Sequence, residues 1–206
     1  MIVKKFEQYT DDEIIDKIAA GEIKLYEILI RRHNSMLYKI GRSYKFIHQD
    51  TEDLMQETFV NAYLNLSKFE KRSSFRTWIA RIMLNNCYRK TQKSSYQKET
   101  VTENTMMENS SPLYSQRSNT ESIIINKELG HVVENALNKI PEDYRVVFTL
   151  RELNGLSVSE TSEILNITES NVKVRLNRTK AMLRSEIEKT YSPEDIYEFN
   201  LVYCDR

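Results

Sequence analysis

Cysteine, histidine, glycine and proline are all scarce in this chain. The two cysteines, Cys87 and Cys204, lie far apart and form no paired motif. The three histidines, His33, His48 and His131, are scattered. No metal site or disulfide framework is therefore indicated, and a reducing cytoplasm suits the chain. Four glycines and three prolines among 206 residues are too few to punctuate many short strands, so the composition predicts an all-α fold. No apolar run is long enough to span a bilayer, and the N-terminus, Met1-Ile-Val-Lys-Lys-Phe-Glu, lacks the apolar core of a signal peptide. Glycine-rich phosphate loops and nucleophile–base pairs are missing too, which argues against an enzyme and against a bound cofactor. Net charge is absent as well: 30 Lys and Arg balance 30 Asp and Glu.

The distribution of charge matters more than its sum. From Lys68 to Lys98 nine cations face one acid, Glu70. From Thr168 to Arg184 five cations face one acid, Glu169. Asp50, Glu52, Asp53 and Glu57 cluster elsewhere, so the neutral total reads as two basic surfaces and a separate acidic one.

The second basic stretch lies in a helix-turn-helix pattern. Asn154-Gly155 is a turn dipeptide that ends a preceding helix. Ser157, followed at three residues by Glu160, is a capping box. Val158, Thr161, Ile164 and Leu165 give that helix one inward face, and small Ser162 lets another helix cross closely. Asn166 suits a left-handed turn, and Thr168 caps the next helix, with Glu169 favourable to its dipole. There Val172, Leu176, Thr179 and Leu183 share the inward face. Ser170, Asn171, Lys173, Val174, Arg175, Asn177, Arg178 and Lys180 are left for solvent or DNA. Recognition helices read base edges mainly with N-terminal residues, which favours Ser170, Asn171, Val174 and Arg175 as base readers. Lys173, Arg178 and Lys180 fit phosphate contacts. A solvated cationic face on an ordinary helical hairpin is the plainer alternative.

The first basic stretch, Phe69 to Lys90, interleaves aromatic, basic and amide residues. Aromatic faces stack on unpaired bases while cations hold phosphates. Amides such as Asn85 and Asn86 can bond to base edges or backbone. Lys71, Arg72, Ser73, Arg76, Trp78, Arg81, Asn85, Arg89 and Lys90 are the candidate contacts to a single strand. Phe75, Trp78, Ile79 and Ile82 also fall at helical spacing, and core is the better reading for Trp78 and Ile79. Crowded like charges on one helix repel unless an anion is near, which speaks for Arg76, Arg81, Arg89 and Lys90.

Helices are expected around Ile14–Ala19 and from Leu25 to Tyr44. A third should run from Glu52 to Leu66, capped by Asp50 or Thr51, with Leu54, Phe59 or Thr58, Ala62 and Leu66 inward. A fourth should run from Phe75 to about Lys90, capped by Ser73 or Ser74. Later helices should end at Lys139 and begin with Pro141 at the first position. Ser, Thr, Asn and Gln make up more than half of residues 91–120, so that stretch cannot bury enough apolar surface to offset ordering. The domain plan is an N-terminal helical domain 1–92, a flexible polar linker 93–120, a C-terminal helix-turn-helix domain 121–189 and a tail 190–206, whose periodicity fits helix or strand.

With these motifs in hand, the chain resembles bacterial RNA polymerase sigma factors of the sigma-70 family, extracytoplasmic-function group. Asp50-x-x-Asp53-Leu54-x-Gln56-Glu57-x-Phe59 looks like that family's polymerase-clamp helix. Phe75-Arg76-Thr77-Trp78-Ile79-x-Arg81-Ile82 with Asn85 looks like its promoter-melting segment. Leu137-x-x-Ile140-Pro141, then Glu152-x-x-Gly155-Leu156-Ser157 through Lys173-x-Arg175-Leu176-x-Arg178, look like its promoter-reading domain. The similarity spans residues 22–90 and 130–186. It implies that Asp53, Gln56, Glu57 and Asn61 dock on core RNA polymerase. The loop 67–74 would capture a flipped base, and Arg76, Arg81, Asn85, Arg89 and Lys90 would grip the melted strand and upstream duplex. Residues 170–180 would read the upstream element in the major groove, and the linker would thread toward the polymerase channel. An anti-sigma factor is an implied partner, and the factor would be a cytoplasmic monomer when bound to polymerase, without membrane insertion. Departures from the family pattern are Val174 for a usual Ser, Asn177 for His, Thr179-Lys180 for Ala-Arg, and Thr161-Ser162 for Ile-Ala. A stand-alone helix-turn-helix repressor or activator is the competing reading. It would need a dimer interface and no aromatic-basic segment.

Overall fold

The computed structural model describes residues 8–98 and 120–189, and side chains for 8–93 and 130–189. Every regular element among the described residues is helical, and the chain divides into two compact units.

The first unit begins with α1, Asp11–Ala19, whose start is closed by a reciprocal Thr10–Glu13 capping box. A 3-10 turn, Ile23–Leu25, leads into α2, Tyr26–Ser43. Next come α3, His48–Leu64, a 3-10 turn, Leu66–Lys68, and α4, Phe75–Lys98. Ile14, Leu29, Leu37, Ile40, Phe75, Ile79 and Met83 are fully buried and form its core. α3 and α4 run antiparallel, since Asp50 meets Lys90 near one end and Thr58 meets Met83 midway. Gly41 of α2 lets both come close: a Cβ there would lie 2.6 Å from Thr51 Cγ2 and 2.9 Å from Met83 Cε.

The start of α3 and the end of α4 differ most from the sequence expectation. α3 starts at His48, with Ile47 in the capping position and no side-chain bond, not at a cap by Asp50 or Thr51. Those two residues have tertiary work instead. Asp50 pairs with Lys90 at 2.6 Å, while buried Thr51 packs toward Gly41 and bonds back to Ile47 O at 2.9 Å. α4 runs on to Lys98, into the polar stretch; residues 99–119 and 190–206 lie outside the described residues. Ser74 does cap α4, accepting from Thr77 N at 3.1 Å.

The second unit holds α5, Thr120–Lys139, and α6, Glu142–Phe148, then a π turn, Thr149–Leu153. It continues with α7, Val158–Leu165, and α8, Glu169–Glu188. Pro141 occupies the capping position of α6, one residue earlier than expected. Its core joins Ala136 and Leu137 of α5, Ile140 just after it, Phe148 of α6, and Leu183 and Ile187 of α8.

Candidate nucleic-acid interfaces

The helix-turn-helix is built by local chemistry. Ser157 accepts from Glu160 N while the Glu160 carboxylate accepts from Ser157 N at 2.7 Å. α7 ends at Asn166, which adopts φ 52°, ψ 46°, the left-handed conformation its short amide side chain tolerates. Thr168 then caps α8 by accepting from Asn171 N at 3.2 Å. Gly155 takes φ 65° in the turn before α7. Val172, Thr179, Leu183 and Ile187 anchor α8 to its unit.

That anchoring fixes what α8 presents outward. At about 100° per residue, Ser170, Val174 and Asn177 lie opposite Val172 and Thr179, and all three are exposed. Asn171, Lys173 and Arg178 are exposed as well, on the flanks. Arg175 and Lys180 are half-buried and held by acids: Arg175 by Asp143 at 3.4 Å, Lys180 by Glu152 at 3.1 Å. Arg175 also donates to Asn171 Oδ1 at 3.2 Å, and Arg178 to Tyr144 Oη at 3.4 Å. Sequence reasoning placed Arg175 with the base readers; its tether to Asp143 turns it aside from the outermost row, which Asn177 joins.

In the first unit, an open hollow of about 690 Å³ forms where α3 meets α4. Trp78, Asn85 and Arg89, expected at the melted strand, line it together with Asn61, expected at polymerase. Asn86 lines it too, as does Lys68 of the loop 67–74, and Asn65, Ile82 and Tyr88 complete the wall without having been sequence candidates for strand contact. Tyr88 is 59% exposed, and its place in an aromatic, basic and amide-rich segment was the signal that could have found it. Trp78 is half-buried, packed against Phe69 and Phe75 with ring centroids 5.1 and 5.7 Å away, so it serves core and hollow alike. Ile79 is wholly core. Buried Asn86 donates to Thr58 Oγ1 at 3.0 Å and accepts from Arg89 at 2.5 Å, which fixes the floor.

The remaining candidates surround the hollow less closely. Lys71 holds φ 55° and pairs with Asp16 at 2.5 Å, while exposed Arg72 pairs with Glu70 at 2.6 Å. Ser73, Arg76 and Arg81 are half-buried. Arg76 lies near Lys39, whose ammonium is pulled down by burial and by that neighbouring positive charge. Asp53, Gln56 and Glu57 are exposed on α3, where Val60 and Leu64 add apolar surface, 55% and 69% exposed.

The acidic and first basic surfaces are not separate, as their sequence positions had suggested. Antiparallel packing brings Glu57 to Arg89 at 2.8 Å and Asp50 to Lys90 at 2.6 Å. Ion pairs between residues so distant in sequence leave no local signal.

A helix-turn-helix with an exposed outer row, flanked by cations, together with a helical unit bearing an aromatic, amide and cation-lined hollow, defines a two-part nucleic-acid-binding protein. Comparison with known proteins gives the family. Residues 29–95 match the model for sigma-70 region 2, and residues 131–183 match that for sigma-70 region 4. Together these span more than half the chain, which belongs to the sigma-70 family of RNA polymerase sigma factors, in its extracytoplasmic-function group. It is thus a sigma factor and not an enzyme. The ECF RNA polymerase sigma-E factor of Haemophilus influenzae is 26% identical over 187 residues, covering 88% of this chain and 97% of that one. The sigma-E factor of Escherichia coli K12 is 29% identical over 188 residues, with coverage of 88% and 96%. Among solved structures, CnrH in complex with the cytosolic domain of CnrY matches with a TM-score of 0.62 at 22% identity, covering 88% of this chain and 99% of that one. RpoE of Bartonella quintana, in complex with the anti-sigma factor NepR, matches with a TM-score of 0.63 at 20% identity, covering 81% and 98%. At these identities the likeness is one of fold. No helix among the described residues is long and apolar enough to cross a membrane.

Proposed function

We propose that this sigma factor directs core RNA polymerase to promoters through three surfaces. Asp53, Gln56 and Glu57 on the exposed face of α3, with Asn61 at its edge, dock on polymerase. The hollow between α3 and α4 holds an unpaired base: Trp78 and Tyr88 offer ring faces, Asn85 an amide for its edge, and Lys68 and Arg89 cations for the flanking phosphates. Lys71, Arg72, Ser73, Arg76, Arg81 and Lys90 extend that grip along the strand. α8 enters the major groove of the upstream element, with Ser170, Asn171, Val174 and Asn177 toward base edges and Lys173, Arg175, Arg178 and Lys180 toward phosphates.

The observation that carries this reading is the hollow itself. A repressor needs α7, α8 and a dimer interface but no such hollow, whereas a factor that opens DNA needs a place for an unstacked base. The domain plan, helical domains 1–92 and 121–189 with a polar linker 93–120 and a tail 190–206, serves this division of labour. The factor acts in the cytoplasm, as one copy per polymerase. CnrH and RpoE, each solved in complex with a protein partner, support an anti-sigma factor as the partner that holds this chain inactive.

The test mixes full-length protein, core RNA polymerase and a promoter probe with a melted segment. Capture of the probe should require polymerase, and Asn85→Ala should weaken it on melted but not on duplex probes. Tight binding to duplex by a free dimer that ignores polymerase would establish the repressor reading instead.

A further inference from the structure

Val174 is the one feature of α8 that general DNA affinity leaves unexplained. It is 47% exposed, in the middle of the outward row formed by Ser170, Val174 and Asn177, on a helix otherwise lined with polar and cationic groups. A branched apolar side chain there gains nothing from water and cannot bond to a phosphate. Its backbone position is rigid, because Val172 and Thr179 behind it are fully buried and Thr179 Oγ1 donates to Arg175 O at 2.7 Å and lies 3.1 Å from Tyr144 O. On the two flanks, Lys173 is exposed, and Arg175 is turned aside by Asp143. Cationic groups thus border Val174, and the valine itself is clear of them.

In the major groove only thymine offers an apolar group, its C5-methyl. We infer that Val174 is a specificity residue that reads the methyl group of one thymine in the upstream element, while Ser170 and Asn177 bond to neighbouring base edges. This rests on the proposal that α8 lies in the major groove, and it adds the chemical group that is read. Burying one methyl group against valine is worth about 0.8 kcal/mol, or roughly fourfold in affinity.

The experiment uses the complex of the full chain with core RNA polymerase. A duplex is first selected by this complex from a pool randomised upstream of the melted segment. Each thymine of the selected upstream element is then replaced singly by deoxyuridine, which removes only the methyl group. Binding should weaken roughly fourfold at one position. Val174→Ala and Val174→Ser should bind the thymine duplex correspondingly less well and lose the distinction between thymine and uracil at that position. Val174→Ile should keep it. If a sequence is selected but no deoxyuridine matters, or if Val174→Ala retains the same methyl dependence, the inference is overturned while major-groove reading stands. If the pool yields no upstream preference at all, the reading of α8 on which it rests fails first.

Discussion

At the scale of single residues, buried charge and cationic contacts make the sharpest expectations. Asp11 accepts from His33 Nε2 at 2.7 Å and from Arg32 at 2.7 Å, and His33 packs on the Phe75 ring. Burial pushes the Asp11 carboxyl up, but the hydrogen bonds from His33 and Arg32 outweigh it, so its pKa lies below the ordinary 3.8. A carboxyl depressed in the folded state adds stability above its unfolded pKa and loses it as pH falls through the lower folded value. Asp11→Asn should therefore cost about 1–2 kcal/mol at neutral pH. The gap to wild type should close as acid unfolding is followed below pH 3.8. An unchanged gap in acid would mean that packing, not charge, is what Asp11 supplies. On α8, exposed Arg178 should contribute one phosphate contact: Arg178→Ala should weaken polymerase-dependent binding across sequences and lower the salt slope by about one. A slope equal to wild type would remove it from the phosphate set.

At the scale of elements, Gly41 in the first unit and Thr161 in the second sit where a single atom changes the packing of a helix. Gly41→Ala would gain about 1 kcal/mol of helix propensity. The added Cβ would meet Thr51 Cγ2 at 2.6 Å, on a side chain whose hydroxyl is tied to Ile47 O. Overpacking of about 1–3 kcal/mol should win, so urea denaturation should show a net loss. Thr161 is fully buried in α7 and its Oγ1 has no hydrogen-bond partner. Thr161→Val keeps the shape and removes the orphaned hydroxyl, so stability should rise by about 1 kcal/mol; a loss would point to a bonded hydroxyl. Elements were legible in the sequence where a side chain three residues away closes them. Thr168 and the Ser157–Glu160 pair are such cases, and the end of α7 was legible because Asn166 tolerates the left-handed backbone. The start of α3 was not, since Ile47 caps it without a side-chain bond. The hollow was legible only in part. Trp78, Asn85 and Arg89 share one helix, but Asn61 and Asn65 arrive from α3 and its end through packing that no local pattern records.

At the scale of the whole molecule, a formal charge of zero accompanies candidate contact cations, Arg72, Arg89, Lys90, Arg175 and Lys180, that are paired with carboxylates of the same chain. The free protein should therefore bind nucleic acid weakly, and polymerase should be needed for tight binding. Asp53 is exposed and pairs with no described residue, so Asp53→Ala should reduce polymerase capture in a pull-down while leaving the melting temperature within a degree or so of wild type. Global unfolding instead would make Asp53 a structural residue.

The bridge from Glu57 to Arg89 has a practical corollary for anyone dissecting this factor. A charge reversal at Glu57 unlatches the arginine proposed for the open strand while it perturbs the face proposed for polymerase, so a single variant mixes gain with loss. Only a two-by-two set, with Glu57 and Arg89 altered alone and together, separates the two effects; Asp53, which pairs with no described residue, should report on the proposed docking by itself.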